Sequence, residues 1–281
     1  MLQDMANGRL ENEFYNLTAK AEDTIICIHE GQVLLSRGED DSLTLPTLAQ
    51  MGQWQEPAAP RYLFKMQERN YFLWTADAPT EPASGFRYEP VRQLRQLKSK
   101  EVCFAAMTAW HLYNWYRTNR LCGCCGTPTE HDSKERMLRC PHCGNTIFPR
   151  ISPAVIVAVT DGDRLLLSKY AGRAYTRYAL LAGYTEIGET IEQTVHREVM
   201  EEVGLRVKNL RYYKSQPWGV DGNVLMGFFC DVDGSNTIHI DETELSMADW
   251  YDRNALPAHD DGISLTREMI RVFEEGREPK K

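Results

Sequence analysis

The sequence predicts an α+β protein, because strand-type runs, paired cysteines and helix-type periodicities follow one another along its 281 residues. Residues 1–91 alternate short apolar runs with turn residues, which predicts a small amino-terminal α+β domain. Its strand-type runs are Thr24 to Ile28, Val33 to Leu35, Tyr62 to Met66 and Tyr71 to Trp74. Residues 92–150 are expected to hold a linking helix and a cysteine ribbon, and residues 151–281 a further domain.

Local patterns predict the remaining elements. Neither proline nor glycine occurs from Val91 to Asn119, so a helix is expected there. The turn Asp161-Gly162-Asp163 separates two apolar runs and predicts a hairpin. We expect later strands at Leu225 to Val232 and at Ile238 to Ile240, and a closing amphipathic helix over residues 264–276.

Residues 190–203 carry a strong helix signal. Thr190 and Gln193 have the spacing of a capping box, and Gly204 is a helix stop. Apolar residues recur at every fourth position between these ends, at Ile191, Val195, Val199 and Val203. The sequence therefore predicts an amphipathic helix whose apolar stripe packs against the rest of its domain.

Three glutamates lie beside that stripe. Glu198, Glu201 and Glu202 are related by steps of three and four residues, and like charges so placed destabilise a helix by a few tenths of a kcal/mol per pair. Arg197 is placed to pair with Glu201 one turn on. Carboxylates of this kind suit Mg²⁺ or Mn²⁺ beside a phosphate-bearing substrate. The alternative is an acidic, solvated helix face, and the spacing alone leaves both open.

The same glutamates belong to a longer pattern that begins at Gly183. It continues with five residues, Glu189, seven residues, Arg197-Glu198-Val199, one residue, Glu201-Glu202, one residue and Gly204-Leu205. This pattern resembles the Nudix box at every defined position. The resemblance implies a Nudix hydrolase, with an α/β/α sandwich as its fold and nucleoside diphosphates linked to another group as its substrates.

The resemblance also implies roles for individual residues. The implied Mg²⁺ or Mn²⁺ ligands are Glu198, Glu201, Glu202, Glu244 and the backbone carbonyl of Ala182. Glu189 and Arg197 would hold the loop of the box to its helix. Bound metals neutralise a diphosphate and lower the pKa of water for in-line attack. We expect Glu202 to orient or deprotonate that water, with Glu198 and Glu201 sharing the catalytic role.

Five of the eight cysteines lie within residues 122–143. Two C-x-x-C pairs separated by fourteen residues have the spacing of a closed structural Zn²⁺ site, with Cys122, Cys125, Cys140 and Cys143 as ligands. Cys124 does not fit that register, and His142 is not needed because four thiolates complete the tetrahedron. A disulfide framework is the alternative, but so few cysteines in a long chain favour a reducing compartment.

The cysteine ribbon before the box and Ser215-Gln216-Pro217-Trp218 after it narrow the resemblance to the bacterial NADH pyrophosphatases, also described as NAD-capped RNA hydrolases. The resemblance covers residues 94–275 well and residues 1–90 only in general character. In that family a Pro-Phe-Pro core follows the tryptophan and marks a preference for NAD(H). Here Gly219-Val220-Asp221-Gly222 follows it instead, which puts the nicotinamide preference in question.

By resemblance, the substrate-binding side chains are Tyr184, Phe148, Glu135, Gln216 and Trp218. Tyr184 would stack on the nicotinamide ring. Phe148 and Glu135 would reach the substrate from the partner subunit, so a homodimer is expected. Ordinary packing is the alternative for the two aromatic residues.

Charge and hydropathy bear on partners and location. The net charge is −8, yet residues 92–150 hold ten Lys or Arg against four acidic residues, a net of +6. This basic segment either holds the phosphates of an RNA or only keeps the ribbon solvated. No apolar run approaches the length of a membrane span, and the first residues resemble no targeting signal, so we expect no membrane contact and a cytoplasmic location.

Together these observations predict metal-dependent hydrolysis of the diphosphate of NAD(H) to NMN(H) and AMP, and removal of NAD caps from RNA by the same chemistry. The altered loop keeps open a Nudix pyrophosphatase for ADP-ribose or another nucleoside diphosphate conjugate. An alternative of another class is a nucleic-acid binding module built on the zinc ribbon. The presence of every expected carboxylate argues against a purely binding role.

Overall fold

The computed structural model describes residues 1–5, 9–40, 42–51, 60–75, 85–96, 99–172, 177–257 and 262–280. The chain divides into two compact units. The amino-terminal unit comprises residues 2–150 and 218–222, and the carboxy-terminal unit comprises Met1 and residues 151–217 and 223–281. Each unit contains both helices and sheets, which confirms the predicted α+β class. The division into segments 1–91, 92–150 and 151–281 stays a proposal.

Two small sheets form most of the amino-terminal unit. Their strands are β1 (Leu10–Glu11), β2 (Thr24–Ile26), β3 (Ile28–His29), β4 (Gln32–Arg37), β5 (Leu43–Thr44), β6 (Arg61–Met66), β7 (Arg69–Leu73) and β8 (Phe86–Pro90), with a short helix α1 (Leu48–Met51) after β5. One sheet has the order β1-β6-β7-β2; in the other, β4 pairs with β3, β5 and β8. Every strand-type run predicted in this region lies in or overlaps one of these strands.

Helix α2 (Lys100–Thr118) leads from these sheets to the ribbon. The helix predicted from Val91 to Asn119 is thus only partly right, because residues 91–96 form a separate 3-10 turn; residues 97–98 lie outside the described residues. The amide of Asn119 donates to the carbonyl of Trp115 at 2.7 Å and so satisfies one of the last backbone acceptors of α2. The ribbon that follows has three short antiparallel strands, β9 (Glu130–His131), β10 (Leu138–Arg139) and β11 (Thr146–Ile147).

A six-stranded mixed sheet is the centre of the carboxy-terminal unit. Its strands are β12 (Ser152–Asp161), β13 (Arg164–Tyr170), β14 (Leu181–Tyr184), β15 (Val207–Trp218), β16 (Asn223–Val232) and β17 (Leu245–Asp252). The order is β15-β16-β12-β13-β17, and β14 pairs with β12. Strands β12 and β16 are parallel, whereas β12 and β13 form the predicted hairpin around Gly162.

Two helices cover opposite faces of this sheet. They are α3 (Ile191–Val203) and α4 (Leu265–Glu274). Val155, Val157 and Val159 of β12 belong to the core that contains the apolar stripe of α3, and Ile156 and Ala158 belong to the core that contains α4. Successive residues of a strand point to opposite faces, so a continuous apolar run in β12 requires a layer on each side. The predicted α/β/α sandwich is confirmed.

The strand predicted at Ile238 to Ile240 is wrong. The chain there forms no ladder; instead the N–H groups of His239 and Asp241 donate to the carbonyls of Val203 and Glu202, each at 3.0 Å. The segment therefore satisfies the last carbonyls of α3, while its two isoleucines pack on the adjoining core. Among the described residues, no helix has the length and apolar character needed to cross a membrane.

Candidate active site

Both ends of α3 are fixed by the sequence. The hydroxyl of Thr190 accepts the N–H of Gln193 at 3.2 Å, and the amide oxygen of Gln193 accepts the N–H of Thr190 at 2.8 Å. Gly204 is left-handed, with φ 68°, and donates its N–H to the carbonyl of Met200. The predicted capping box and glycine stop are confirmed. These ends determine which side of the helix faces the sheet.

The glutamates lie at the edge of the buried stripe of α3. Glu202 is only 2% exposed and Glu198 8%, whereas Glu201 lies on the solvent side. Burial of an ionised carboxylate is costly unless positive charge or hydrogen bonds compensate it. The helix therefore places two acidic groups where nearby positive charge stabilises them.

Arg197 connects the helix to the preceding loop. Its Nε donates to Oε1 of Glu189 at 2.6 Å and its Nη2 to Oε2 of the same carboxylate at 3.0 Å. Nη1 donates to Glu198 at 2.8 Å and to Glu201 at 2.9 Å, and Nη2 also donates to the carbonyl of Tyr184 at 2.8 Å. The predicted pairs of Arg197 with Glu189 and Glu201 are present. One guanidinium thus positions three carboxylates and the end of β14.

The carboxylates of this cluster have different affinities for protons. Hydrogen bonds from Arg197 and from the N–H of Glu186 lower the pKa of Glu189 to about 2. Burial raises the pKa of Glu198, and the negative charges of Glu201 and Glu244 raise it further, against the effect of Arg197. Glu244 thus lies close enough to act electrostatically on Glu198.

Gly183 allows Glu198 to approach β14. A Cβ built on Gly183 would lie 1.8 Å from the carboxyl carbon of Glu198 and about as close to both of its oxygens. The glycine is required here by this close approach, since its backbone is not left-handed. Ala182, the predicted backbone ligand, precedes it in the same strand.

The donor set fits a hard divalent cation by its chemistry. Glu189, Glu198 and Glu201 bring three carboxylates to a single arginine, Glu202 adds a fourth on the same helix, and carboxylate oxygens are the ligands that Mg²⁺ and Mn²⁺ prefer. Their oxygens do not converge on one point: within the described part of the chain, only the four ribbon cysteines place three or more ligand atoms within 4.8 Å of one another. Arg197 holds Glu198 and Glu201 in the observed arrangement.

Tyr184 and Asn223 form a pair that the sequence did not reveal. Tyr184 is 50% exposed, and the amide Nδ2 of buried Asn223 donates to its hydroxyl at 3.2 Å. Asn223 begins β16, directly after the loop that departs from the family pattern. A pairing across strands cannot be detected from sequence spacing. Asn223 fixes the position of the tyrosine hydroxyl.

Two other predicted substrate-binding residues serve the fold. Gln216 is fully buried, and its amide donates to the carbonyl of Ile263 at 2.9 Å and accepts the N–H of Leu265 at 2.7 Å, which anchors the start of α4. The indole N–H of Trp218 donates to Asp221 at 3.1 Å. Their contact with substrate stays a prediction.

The loop that departs from the family pattern packs on α2. A Cβ at Gly219 would lie 2.2 Å from the carbonyl oxygen of Met107, so no larger residue fits there in this arrangement. Asp221 accepts a hydrogen bond from Arg92 at 2.7 Å. The loss of the Pro-Phe-Pro core therefore accompanies a close backbone contact within the amino-terminal unit.

The ribbon presents the two remaining predicted residues. Phe148 is 57% exposed, and Glu135 lies in an exposed turn whose N–H donates to the carboxylate of Asp132 at 3.0 Å. An exposed phenylalanine is available to a partner chain. Their role across a subunit interface stays a prediction.

The cysteine cluster has the geometry of a zinc site. The Sγ atoms of Cys122 and Cys143 are 3.6 Å apart and those of Cys125 and Cys140 3.4 Å apart, close to the roughly 3.8 Å edge that Zn–S bonds of about 2.3 Å require in a tetrahedron. Cys124 is exposed and outside the cluster. The residues present fit a structural Zn²⁺ ion.

The sandwich and the capped glutamate helix define a hydrolase of the Nudix class. Residues 150–273 match the NUDIX domain family, and residues 117–148 match the NADH pyrophosphatase zinc ribbon domain. A protein of Chromobacterium violaceum named NAD-capped RNA hydrolase NudC is 38% identical over 75% of this chain and 79% of its own length. One of that name from Stutzerimonas stutzeri is 33% identical over 88% of this chain and 85% of its own. The chain belongs to the NudC family of Nudix hydrolases.

Proposed function

We propose that this protein hydrolyses the diphosphate of NAD(H) to NMN(H) and AMP, and that it removes NAD caps from RNA by the same reaction. The names of its relatives and its two family matches support this substrate class. The observation that carries the proposal is the contact of Glu198 and Glu201 with Arg197, with the buried Glu202 beside them on a helix fixed at both ends.

The residues around α3 would have different roles in the reaction. A bound Mg²⁺ or Mn²⁺ ion neutralises diphosphate charge and lowers the pKa of the attacking water. Glu198, Glu201, Glu244 and the carbonyl of Ala182 would hold such ions. Glu202, the most buried of the glutamates of α3, would orient the water and accept its proton as the water oxygen bonds to one phosphorus. The bridging P–O bond of the diphosphate breaks in the same step, and the other mononucleotide leaves.

Arg197 holds the loop, β14 and the carboxylates of α3 in fixed relative positions. By bonding Glu189 and the carbonyl of Tyr184, it couples the loop and β14 to the helix that bears the carboxylates. Reacting groups held in place lower the entropic part of the barrier. Because three carboxylates and one carbonyl already engage its guanidinium, we assign it a positioning role.

Tyr184 would bind the nicotinamide ring. Half of the side chain is exposed, and Asn223 fixes its hydroxyl, so a flat ligand can stack on it with little loss of conformational freedom. We extend the proposal to a homodimer in which Phe148 and Glu135 reach the partner's substrate, and to a cytoplasmic location. The exposure of Phe148 supports the former.

A second candidate substrate is ADP-ribose or another nucleoside diphosphate conjugate. The observation that favours it is the loop at Gly219, whose contact with α2 leaves no room for the family's proline. The diphosphate chemistry is the same for both substrates. They differ only in the group attached to the second phosphate.

Product analysis by chromatography distinguishes these substrates. The protein is incubated with Mg²⁺ or Mn²⁺ and, separately, NADH, NAD⁺, ADP-ribose and NAD-capped RNA. Conversion of NADH or capped RNA to NMN-type and AMP-type products is the expected result. Cleavage of ADP-ribose alone would assign the second candidate, and cleavage of none would refute both.

A further inference from the structure

A separate cleft lies within the amino-terminal unit, and none of the residues that line it belongs to the candidate active site. Its volume is about 1010 Å³, at the upper limit of ordinary small-molecule pockets. The wall is formed by β3, β6, the end of β7, the last turn of α2 and the ribbon. A cavity of this size has room for more than one nucleotide.

The described residues of this cleft carry charge of one sign. Arg61, Arg117 and Arg120 line it, and the part of its lining that the structure describes contains no aspartate or glutamate. Among the described residues, no carboxylate forms an ion pair with any of these arginines. Uncompensated cations converging on a cavity favour an anionic ligand and exclude a metal ion.

Arg61 is the most informative of the three. It is half-buried, its guanidinium carbon lies 4.7 Å from the centre of the Tyr116 ring, and burial lowers its pKa. Arg117 lies in the last turn of α2, where the negative end of the helix dipole favours a basic residue. Arg61 lies on β6, so that explanation does not apply to it. Desolvation of an arginine without a carboxylate partner is costly, and a bound anion would offset that cost.

Rings lie among these cations. Trp74, Tyr113 and Tyr116 line the cleft, and the half-buried Tyr113 stacks on Trp110 at 5.7 Å between ring centres. Desolvation and the charge of Arg61 lower the pKa of the neighbouring His131 to about 4, so it is neutral at pH 7. Neutral rings beside arginines are the elements with which proteins hold single-stranded nucleic acids.

We propose that this cleft is a second, non-catalytic binding site for single-stranded RNA, which holds the body of a capped RNA. Arg61, Arg117 and Arg120 bind backbone phosphates, and a base packs against Tyr113. The inference rests on the proposed function, because it explains how an enzyme for NAD would also retain an RNA. A free mononucleotide presents the same chemistry, but the volume of the cleft favours a chain of nucleotides.

The test is a direct titration that involves no hydrolysis. A short, labelled, uncapped single-stranded RNA is titrated with the full-length protein without divalent metal, and binding is followed by fluorescence anisotropy at several salt concentrations. The double variant Arg117→Ala/Arg120→Ala is compared with the control Arg69→Ala/Arg139→Ala, which removes the same charge. Both control arginines are exposed in the same unit and lie outside the cleft. AMP is titrated as a competitor.

The cleft variant should bind RNA about tenfold more weakly than the parent. It should also reduce the slope of log affinity against log salt by about 1.4, since each lost phosphate contact contributes about 0.7. The matched control should stay within about twofold. Arg117→Lys/Arg120→Lys should retain most of the affinity, and the zinc content of each protein verifies its fold. The single variant Arg120→Ala, beyond the end of α2, serves if the double variant folds poorly.

Equal RNA affinity in the cleft variant and the control would overturn the proposal, as would binding of AMP with no binding of RNA. Hydrolysis of NADH is measured in parallel and should be unchanged within about twofold in both double variants. Together with the product analysis, that readout separates the two proposals: a parent protein that binds RNA through the cleft but cleaves neither NADH nor NAD-capped RNA refutes the proposed function alone.

Discussion

The carboxylate of Glu198 lies directly against the backbone of Gly183, at a distance that leaves no space for a Cβ. The first glycine of the box pattern and the first of the three proposed metal-binding glutamates of the helix are thus in direct contact, although fifteen positions separate them. Ala182, whose carbonyl is the proposed backbone ligand, immediately precedes Gly183 in β14. The position of Glu198, a proposed metal ligand, therefore requires glycine at residue 183.

Gly183→Ala should displace Glu198 and lower kcat at least tenfold, since small misplacements of reacting groups are expensive. Its stability should change much less than its activity, because the displaced group lies at the edge of the core. Steady-state hydrolysis of NADH and urea unfolding measure the two effects. Gly123→Ala is the control, because a Cβ there meets open space, and a Gly183→Ala enzyme as active as this control would contradict the account.

Arg197→Lys should destabilise the loop of the box. Lysine keeps the charge but lacks the planar fork that bonds Glu189 twice while also reaching Glu198. We expect a loss of about 1–2 kcal/mol in the free energy of unfolding, as for charge-assisted hydrogen bonds, together with a fall in kcat. Urea unfolding of the variant checks the first effect. An unchanged urea midpoint would show that the guanidinium fork contributes nothing to the free energy of unfolding.

Stability in acid should depend on Glu268. Burial alone would raise the pKa of this carboxylate, but hydrogen bonds from Lys214 and Tyr213, each 2.7 Å long, and the amino group of Met1 lower it from 4.5 to about 2. A depressed folded-state pKa gives stability that is present above about pH 4.5 and is lost as the pH falls toward 2.

The variant Glu268→Gln should therefore lose less stability than the parent between pH 4.5 and 2, while being less stable at pH 7. Thermal unfolding across this range measures both effects. Glu274→Gln, at an exposed position of the same helix, should follow the parent. If Glu268→Gln has the pH dependence of the parent, the ionised contacts do not stabilise the fold.

Zinc should bind through four of the five ribbon cysteines. Cys125→Ser removes a member of the thiolate cluster and should lose the metal and destabilise the ribbon, whereas Cys124→Ser should keep about one Zn²⁺ ion per chain. Elemental analysis of the purified variants gives the answer. Loss of zinc from Cys124→Ser with retention in Cys125→Ser would reverse the assignment.

The sequence was most informative where short-range chemistry determines structure. The caps at Thr190 and Gly204 and the four-residue apolar period predicted α3 almost to the residue, because these signals act within a few positions. Strands β15 and β17 were missed because their exposed, polar residues lack a clear alternation. The error at Ile238 has the opposite cause: the run is apolar, but its backbone partners belong to a helix end.

The candidate site shows the same limit. The glutamates followed from a local pattern, whereas Asn223 was missed because its contact with Tyr184 joins strands 39 positions apart. Gln216 was named for substrate, yet its amide is used by the start of α4. Tertiary contacts alone reveal such roles.

The most direct test of the central claim is the turnover of Glu202→Gln with NADH and Mg²⁺ or Mn²⁺, measured beside Glu192→Gln, an exposed position in the first turn of the same helix. If Glu202 accepts the proton of the attacking water, its variant should lose about 100-fold or more in kcat. Its zinc content and fold should be unchanged, and Glu192→Gln should match the parent. A Glu202→Gln enzyme with the kcat of Glu192→Gln would show that the buried glutamate does not take part in hydrolysis.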